Sequence, residues 1–430
     1  MRYLPNGKQM SEADAHTIHE IGIPSLVLME RAALQIVETM HKKNISTEKS
    51  LIVCGSGNNG GDGFAVARLL TEQGKHADVL FAGREASFSE ECRCQKQIVE
   101  NMGISVFTEF PDEEYTVIID AVFGVGLCRE ITGHYKDVID WMNLQDTEKV
   151  AVDIPSGICA ATGEILGTAF RADLTVCMAC VKLGCELFPG KSYAGESIPV
   201  AIGIDPNYFS NRLDVCYTFD KKELGKLLPA RMMHSHKGSY GKVLMITGSP
   251  GMAGAAFLSA CAAYTVGAGL VQIYTASENR LALQELLPEA IISCYDSYDD
   301  NQLSRLLDWA DVVCIGCGLG MGQISEKILK NVLKNVSCPC VIDADGLNLL
   351  NGKIELLNQC RAPVILTPHM KEMSRLTGWS IDKIMEDRFQ ALDQIIKQSG
   401  PDRIIHNLCV KRQSYCCRTD KSAEICKSRW

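Results

Sequence analysis

The sequence predicts an α/β protein of two domains, each built on a parallel sheet with helices on both faces. The length of 430 residues suits two domains of ordinary size. In both halves short apolar strands alternate with helical segments, which is the pattern of a parallel sheet. In each half the first predicted strand of the sheet runs into a glycine-rich turn, at residues 51–64 and 242–254.

The composition is that of a globular protein, with 46% hydrophobic and 22% charged residues. A net charge of −9 argues against nucleic acid or an anionic membrane as the partner. The polar N-terminus lacks the apolar core of a signal peptide, so we expect a cytoplasmic protein whose 20 cysteines are reduced. Residues 253–271 are nearly apolar, but their alanines, glycines and hydroxyl groups favour a buried helix that runs into a strand over a membrane span.

Two C-x-x-C spacings, Cys177/Cys180 and Cys314/Cys317, lie in strand-like runs. Residues three apart in a strand point to opposite faces, so neither pair can bind one metal ion. We interpret both pairs as buried thiols, and no His/Cys cluster in the sequence suggests zinc.

The first half has the pattern of a doubly wound sheet. Helices are predicted at 11–20 and at 24–41, where Pro24 occupies a first-turn position. The strand that starts at Leu51 leads into a loop with five glycines among its nine positions, 55–63, and then into a helix at 64–73. Further strands are predicted at 77–82, 104–107, 116–120, 150–153, 172–181 and 198–204, and further helices at 89–101 and 132–142.

Polar residues follow the carboxyl ends of these strands, where ligands bind in open parallel sheets. Asn59, Asp120 and Ser156 offer an amide, a carboxylate and a hydroxyl, which suit a hard cation. With a single carboxylate among them, a monovalent ion such as potassium is plausible, and Asp153 is left for acid–base chemistry. The alternative is that these are capping and turn residues, because Asp, Asn and Ser are common at such places.

Six motifs in the first half occur in a fixed order. They are Met29-Glu-Arg-Ala-Ala33, Cys54-Gly-Ser-Gly-Asn-Asn-Gly-Gly-Asp-Gly-Phe64, Asp120-Ala-Val-Phe-Gly-Val-Gly-Leu127, Val152-Asp-Ile-Pro-Ser-Gly157, Lys182-Leu-Gly184 and Gly195-Glu-Ser-Ile198. Together they resemble NAD(P)H-hydrate epimerases over residues 1–210. The resemblance implies an enzyme that interconverts the R and S forms of hydrated NADH and NADPH, called NADHX and NADPHX. These carry a hydroxyl on nicotinamide carbon 6, which the neighbouring ring nitrogen can expel and a carboxylate can help to protonate.

The resemblance also implies the site residues of this domain. Asp153 contacts the reacting part of the substrate and is the expected acid–base catalyst. Asn59, Asp120 and Ser156 match the family's potassium ligands. The residues that line the dinucleotide are Asn58, Asn59, Gly60, Gly61, Asp62, Gly124, Val125, Gly126, Leu127, Cys128, Arg129 and Glu130.

The charged stretch 210–226 is the predicted joint, which gives domains at 1–212 and 213–430. Beyond it, strands are predicted at 242–246, 270–274, 312–315, 340–343 and 363–366. The motifs here are His236-Lys-Gly-Ser-Tyr-Gly241, Gly248-Ser-Pro-Gly-Met-Ala-Gly-Ala-Ala256, Gly267-Ala-Gly-Leu270, Pro288-Glu-Ala290, Gly316-Cys-Gly-Leu-Gly320, Val341-Ile-Asp-Ala-Asp-Gly-Leu-Asn348 and Leu366-Thr-Pro-His369.

These motifs resemble the ADP- or ATP-dependent NAD(P)H-hydrate dehydratases, which have a ribokinase-like fold. The resemblance implies phosphorylation of the hydrate hydroxyl and loss of phosphate to restore NAD(P)H, with magnesium as a further cation. It assigns Ala255, Gly318 and His369 to the hydrate, although turn glycines and an exposed histidine are also ordinary loop residues.

The second half departs from that family's pattern. The usual Gly-Pro-Gly reads Gly316-Cys-Gly318, and the usual His-Pro-Gly-Glu reads His369-Met-Lys-Glu372. The family's later Lys-Gly and Gly-Ser/Thr-Gly-Asp motifs are absent from the sequence, since no glycine follows Gly400, and the tail has the character of a truncation or frameshift. We therefore expect an incomplete ribokinase-like domain with no ADP-binding residues left and an exposed apolar edge.

Three other functions remain open. A Rossmann dehydrogenase could use Gly55, Gly57 and Gly60 with Arg84 or Glu85, although Asp62 at the helix start would repel a pyrophosphate. A small-molecule kinase could occupy the second half, and a non-enzymatic dinucleotide-binding protein would keep the fold without the chemistry. We expect a homo-oligomer in each case.

Because the Lys-Gly and Gly-Ser/Thr-Gly-Asp motifs are absent from this sequence, we predict that the purified chain dehydrates the S hydrate with ADP or ATP no faster than the uncatalysed reaction. Nothing in this sequence would neutralise the transferring phosphoryl group. The appearance of NAD(P)H measures the rate, and turnover of about 1–100 s⁻¹, as in related phosphoryl transfer, would contradict the prediction. Recovery of Gly-Ser/Thr-Gly-Asp in another reading frame beyond codon 400 would identify a frameshift.

Overall fold

The computed structural model describes residues 2–212, 214–219, 223, 225 and 231–399. The chain divides into two compact units, Met1–Phe219 and Asp220–Trp430. The tail beyond residue 399, on which the expectation of an incomplete second domain rests, lies outside the described residues, so that expectation stays a prediction.

The first unit is built on a sheet of seven parallel strands. These strands are β2 (Lys49–Cys54), β3 (His76–Phe81), β4 (Val106–Phe107), β5 (Val117–Ala121), β6 (Glu148–Val152), β7 (Leu174–Met178) and β8 (Glu196–Val200). Their order across the sheet is β4-β3-β2-β5-β6-β7-β8. A separate antiparallel pair joins β1 (Arg2–Leu4) to β9 (Cys216–Thr218).

Helices cover both faces of this sheet. They are α1 (Gly7–His16), α2 (Ser25–Lys42), α3 (Asn58–Glu72), α4 (Glu90–Asn101), α5 (His134–Leu144) and α6 (Leu183–Glu186). Alternate residues of β2 divide between two cores, because successive strand residues point to opposite faces. Ile52 packs in the core that contains Phe64 of α3, and Leu51 packs in the core that contains Ile139 of α5. This confirms the predicted three-layer α/β/α sandwich.

The helix after the glycine loop starts earlier than predicted. The sequence placed its start at Phe64, but α3 begins at Asn58, so three of the loop glycines are helical. Glycine is a poor helix former, and close packing is the reason it is used here. A Cβ on Gly60 would overlap the carbonyl of Gly55, and one on Gly63 would lie 2.6 Å from the Cβ of Ala121.

The second unit has a six-stranded parallel sheet. Its strands are β10 (Lys242–Ile246), β11 (Leu270–Ala276), β12 (Ile291–Tyr295), β13 (Val312–Ile315), β14 (Cys340–Ile342) and β15 (Val364–Leu366). The order is β12-β11-β10-β13-β14-β15, again doubly wound. The edge strand β12 was not predicted, because only Tyr295 of its five residues is fully buried and the apolar signal is correspondingly weak.

Helices also pack on both faces of this second sheet. They are α7 (Ala253–Thr265), α8 (Arg280–Leu286), α9 (Asp300–Trp309), α10 (Gln323–Asn335), α11 (Asp345–Leu349), α12 (Met370–Thr377), α13 (Ile381–Glu386) and α14 (Arg388–Ser399). Met245 of β10 packs with α7 and α8, and its neighbours Leu244 and Ile246 pack with α9 and α10. The layered α/β architecture predicted for this half is confirmed.

The apolar segment 253–271 forms α7 and the start of β11, as predicted. The helix buries one face, at Ala256, Ala260 and Ala263, whereas Leu258 on another face is 67% exposed. No helix among residues 2–212 and 231–399, or in the short described pieces between them, is long and apolar enough to cross a membrane.

Every cysteine in the described part of the chain is a free thiol. Cys177 and Cys314 lie in β7 and β13, and their C-x-x-C partners lie in the turns that follow. Burial raises the pKa of Cys180 to about 11 and that of Cys314 to about 12. Cys177 and Cys180 are buried as expected, but Cys314 and Cys317 are only half-buried, so the expectation of buried thiols is wrong for the second pair. Because Cys180 and Cys317 lie beyond the strands, the alternation of strand faces does not apply to either pair.

Candidate active site

A pocket of about 640 Å³ lies at the carboxyl edge of the first sheet. The strands β2 and β5 are neighbours, but the chain leaves β2 toward β3 and leaves β5 toward β6, on the opposite side. The loops after β2 and β5 therefore separate and leave a crevice, which is where ligands bind in doubly wound sheets. Both loops line the pocket, together with residues from α1 and α2 and from the segments after β6 and β7.

Gly55 closes the base of this crevice. Its N–H donates to the carbonyl of Ala121 at 3.0 Å, and a Cβ at this position would overlap the carbonyl oxygen of Val122. Only glycine allows the two loops to approach this closely. The chain then turns at Gly57 and enters α3, whose first two residues, Asn58 and Asn59, line the pocket.

A γ-turn at the end of β6 sets the direction of Asp153. Asp153 has a φ of +69°, and the N–H of Ile154 donates to the carbonyl of Val152 at 2.8 Å. Ala179, just after β7, repeats this geometry with a φ of +59°. Each such residue costs about 1–3 kcal/mol and persists only where the surroundings hold it. The two neighbouring strands therefore end in matching strained turns beside the pocket.

Asp153 forms an ion pair with Lys182, whose side chain is completely buried. The ammonium group donates to Oδ1 of Asp153 and, at 2.9 Å, to the carbonyl of Met178. The N–H of Met178 also donates to Oδ1, at 2.8 Å. Burial by itself would lower the pKa of Lys182, but the charge of Asp153 outweighs it together with the other neighbours and raises that pKa. Oδ1 is thus fully engaged, and within the described residues no hydrogen bond reaches Oδ2.

Asp120 is buried beneath the loops after β5 and β6. Its Oδ1 accepts from the hydroxyl of Ser156 at 2.7 Å and from the N–H of Val122 at 3.1 Å, and its Oδ2 accepts from the N–H of Ser156 at 2.7 Å. Burial raises the pKa of Asp120 to about 6, against the opposing effect of those hydrogen bonds. A carboxylate in this position would be stabilised by a nearby cation.

Asn59, in the first turn of α3, contacts the loop after β5 near Asp120 and Ser156. Its side chain lies against Gly124, while the Ser156 hydroxyl accepts from the N–H of the preceding residue, Phe123, at 2.8 Å. The buried amide nitrogen of Asn59 has no hydrogen-bond partner among the described residues. Because the two ends of an amide have the same shape, a half-turn presents its oxygen instead. The residues present therefore fit a hard cation.

Two further carboxyl groups, Asp62 and Asp14, line the pocket. Burial raises the pKa of Asp62 well above its ordinary value, and the charges of Asp153 and Asp14 raise it further, while Lys182 opposes the shift. The pKa of Asp14 is also raised, first by burial and then by Asp153. No hydrogen bond to the Asp62 carboxyl occurs in the described part of the chain.

Most residues predicted to contact the dinucleotide lie around the pocket. Its lining includes Asn58, Asn59, Asp62, Gly124, Val125, Gly126, Leu127, Cys128, Arg129 and Asp153. Gly60, Gly61 and Glu130 are not part of the lining, and Gly61 instead packs against Met29. Asp62 lies one turn inside α3, because the helix starts at Asn58, so the argument that placed it at the helix start was wrong. Arg84 and Glu85, the residues a dehydrogenase would use, are also outside the lining.

The sequence alone gave no role to Lys182 or Asp14. Lys182 belongs to a quoted motif, and its position after the apolar run 176–181 was a signal for a buried ion pair, since lysine is rarely buried unpaired. Nothing in the sequence connects Asp14 with residues more than 100 positions away. The contribution of α1 to the pocket follows only from the fold.

In the second unit Ala255 and Gly318 meet at the switch point between β10 and β13. A Cβ on Gly318 would lie 2.7 Å from that of Ala255. His369 has a structural task as the N-cap of α12, where its Nδ1 accepts from the N–H groups of Lys371 at 3.1 Å and Glu372 at 3.3 Å. Glu372 in turn accepts from the N–H of His369 at 2.8 Å, which completes a capping box. This box explains why the His and Glu of His-Met-Lys-Glu belong together.

One other group of metal-type ligands occurs in the described residues, at the opposite edge of the first sheet. It comprises His76, Asp78 and Glu113. Asp78 already accepts from Tyr115 at 3.1 Å and lies 2.9 Å from His76, and Glu113 pairs with Lys49 at 2.7 Å. These existing partners account for the cluster without a metal ion.

Two family models match the chain. Residues 25–184 match the YjeF-related protein N-terminus, and residues 243–404 match the NAD(P)H-hydrate dehydratase family. Among curated proteins, the bifunctional NAD(P)H-hydrate repair enzyme Nnr of Coxiella burnetii is 36% identical over 92% of this chain and 80% of that protein. Its counterparts in Moorella thermoacetica and Escherichia coli are 34% and 32% identical, over 90% and 88% of this chain and 77% and 72% of theirs.

Solved structures also resemble the chain over part of its length. A ribokinase-like superfamily protein from Enterococcus faecalis is 28% identical, with a TM-score of 0.36, over 42% of this chain and 62% of that one. The ADP/ATP-dependent NAD(P)H-hydrate dehydratase from Bacillus subtilis, crystallised with ATP and Mg²⁺, is 25% identical, with a TM-score of 0.37, over 47% of this chain and 72% of that one.

The buried ion pair predicts a strong energetic coupling between Asp153 and Lys182. Asp153→Asn and Lys182→Met should each destabilise the first unit by about 3–5 kcal/mol, because each leaves a buried charge without its partner. The double variant should lose less than the sum of the two. Urea unfolding followed by hydrogen exchange in β6 and β7 measures this unit separately.

The exposed pair Lys136–Asp140 on α5 provides the matched control. Lys136→Met with Asp140→Asn should show a coupling energy far smaller than that of the buried pair, because solvent screens exposed charges. Equal coupling energies for the buried and the exposed pair would contradict the account of Lys182.

Proposed function

The chain belongs to the family of bifunctional NAD(P)H-hydrate repair enzymes, and from this membership we propose that both units act on NADHX and NADPHX. The first unit interconverts the R and S forms at nicotinamide carbon 6. In the family the second unit dehydrates the S form with ADP or ATP, and the impairment of this step expected from the present sequence stays a prediction. The observation that carries the first assignment is Asp153, held by buried Lys182 at the edge of a pocket of about 640 Å³.

The pocket suits a dinucleotide in size and in chemistry. Its volume lies in the range of small-molecule sites, about 300–1,000 Å³. The N–H groups at the start of α3 and the exposed guanidinium of Arg129 would bind the pyrophosphate. Apolar side chains such as Leu28, Met29 and Ile202 would pack against the rings. The loop from Gly124 to Glu130 is proposed to follow the rest of the ligand.

Asp153 is proposed to handle the proton that moves with the hydroxyl. Its Oδ1 is occupied by Lys182 and by the backbone, which fixes the carboxylate in place. Its Oδ2 remains available to a substrate hydroxyl or to water. A carboxylate so fixed loses little entropy on reaching the transition state, which is the advantage of an oriented general base.

We propose that Asn59, Asp120 and Ser156 bind a potassium ion. Bound there, potassium would supply a positive charge beside the buried Asp120 carboxylate. The three side chains would hold it between α3 and the loops after β5 and β6, the same loops that bound the pocket. The ion would therefore keep the loop after β5 in the conformation that receives the dinucleotide.

In the second unit, Ala255, Gly318 and His369 are proposed to contact the hydrate. If this unit is active, ADP or ATP, with magnesium, would be the phosphoryl donor, as in the ADP/ATP-dependent dehydratase from Bacillus subtilis that was crystallised with ATP and Mg²⁺. A cytoplasmic homo-oligomer stays a prediction. Only a measurement of epimerisation activity distinguishes the epimerase from the alternative, a non-enzymatic dinucleotide-binding protein.

The proposed epimerase predicts that the purified chain, in potassium, equilibrates the R and S hydrates faster than the uncatalysed exchange. Asp153→Asn should lower this enhancement by about 10²–10⁴-fold, the usual effect of a general acid–base group. Chromatography of the two epimers gives the rate. Asp137→Asn, which removes an exposed carboxylate from α5, is the control and should keep the wild-type rate. A wild-type chain that gives no enhancement would reject the proposal in favour of a binding protein.

The cation site predicts that replacing potassium by choline at equal ionic strength slows epimerisation by the wild-type chain. Asp120→Asn should remove most of this potassium dependence, because the ligand set then lacks its only charge. The initial rate as a function of potassium concentration measures the effect. Wild-type rates that do not change between potassium and choline would rule out the cation site.

A further inference from the structure

We propose that Asp62 is the proton donor of the epimerisation, so that the reaction uses two carboxyl groups, Asp62 and Asp153, with different tasks. The inference rests on the proposed epimerase function and deepens it. The resemblance to epimerases assigns Asp62 to the lining of the dinucleotide site and gives it no chemical step. The geometry of the pocket supplies the reason for one.

Asp62 and Asp153 line the same pocket but have opposite environments. Asp153 accepts hydrogen bonds from an ammonium group and a backbone N–H, so its Oδ1 is already engaged. Asp62 lies on the second turn of α3 and, within the described residues, accepts none. A pair of carboxyl groups placed in such different surroundings divides naturally into one acid and one base.

The charged and titratable groups that face Asp62 come from five segments. They are Asp14 of α1, Cys54 of β2, Cys92 of α4, Asp153 after β6 and Lys182 after β7. The two thiols are neutral, since burial raises the pKa of Cys92 to about 12 and that of Cys54 well above its ordinary value. The two other aspartates disfavour a further negative charge.

Lys182 is the only positive charge in this set, and its ammonium group is already bound to Asp153 and to a carbonyl. These surroundings raise the pKa of Asp62 well above its ordinary value and favour its protonated form. A neutral carboxyl group that faces a pocket and has no internal acceptor can donate to a ligand.

Inversion at carbon 6 is served well by two proton-handling groups, because the hydroxyl leaves one face of the ring and water adds to the other. When the lone pair of the ring nitrogen expels the hydroxyl from carbon 6, the C–O bond breaks and the oxygen takes the Asp62 proton and leaves as water. The resulting iminium carbon is planar. Water then adds to the opposite face, the C=N pair returns to nitrogen, and the water's second proton goes to Oδ2 of Asp153.

The products are the inverted hydrate, ionised Asp62 and protonated Asp153. Exchange of one proton with solvent restores the starting enzyme, so the cycle requires no oxidant, reductant or other reactant. While the iminium ion exists, the new carboxylate on Asp62 and the one on Asp153 both stabilise its positive charge. A single carboxyl group reaches only one face of the ring, which is why one aspartate alone would serve inversion poorly.

The test compares wild-type, Asp62→Asn and Asp62→Glu chains in both directions of epimerisation across pH, after subtraction of the uncatalysed rate. The donor works only below its own pKa, so the wild-type rate should fall as the pH rises through the raised pKa of Asp62. Asp62→Asn should lower kcat by about 10²-fold or more and lose this alkaline fall. Asp62→Glu should recover part of the rate and keep an alkaline fall at a shifted pH.

Glu72→Gln, which neutralises an exposed carboxylate in the last turn of the same helix, is the matched control and should match wild type. An Asp62→Asn chain within twofold of wild type, or one with an unchanged alkaline fall, would overturn the inference. If the melting curve shows that the Asp62→Asn chain is unfolded, the Asp62→Glu chain provides the test. An epimerisation rate that falls at the same alkaline pH as in the wild type would then overturn the inference. A wild-type chain without enhancement would instead reject the epimerase itself, and the inference with it.

Discussion

The arrangement of the candidate active site depends on one buried contact, the ion pair between Asp153 and Lys182. An unpaired ammonium group in a protein interior is costly, so Lys182 needs its carboxylate partner. The pair forms because β6 and β7 are adjacent parallel strands that both end in γ-turns, and β7 continues two residues past the register pair Val152–Val176. The strained φ of Asp153 is held by this pairing and by the N–H of Met178. The strained turn at Asp153, the register of β6 and β7 and the buried charge of Lys182 therefore depend on one another.

The doubly wound topology places the other groups around that pair. The strand order reverses between β2 and β5, because β3 lies on one side of this pair and β6 on the other. The glycine turn after β2 and the loop after β5 therefore form the two sides of the pocket. Close approach at Gly55 brings α3 against the sheet and carries Asn59 and Asp62 into position. The second unit uses the same arrangement, with Ala255 and Gly318 at its own reversal between β10 and β13. In the first unit the pocket is therefore formed by loops that diverge from two neighbouring parallel strands.

Much of this could be predicted from the sequence, because apolar runs and glycine turns are local signals. The strands β2, β5 and β6 and the acids at their ends were predicted from such signals. The early start of α3 was missed because glycine lowers helix propensity, and only tertiary packing reveals that Gly60 and Gly63 must be helical. The partners of Asp153 and Asp62 were missed for a different reason. Lys182 and Asp14 come from distant segments, and their approach is a property of the folded sheet.

The central claim is that the pocket beside Asp153 and Lys182 receives carbon 6 of the hydrated nicotinamide ring. A crystal structure of the chain soaked with the mixed hydrate epimers tests it most directly. The account predicts that the C6 hydroxyl lies about 2.6–3.2 Å from a carboxyl oxygen of Asp153 or Asp62, with the pyrophosphate at the start of α3. A ring bound outside this pocket, or turned so that C6 faces away from both aspartates, would contradict it.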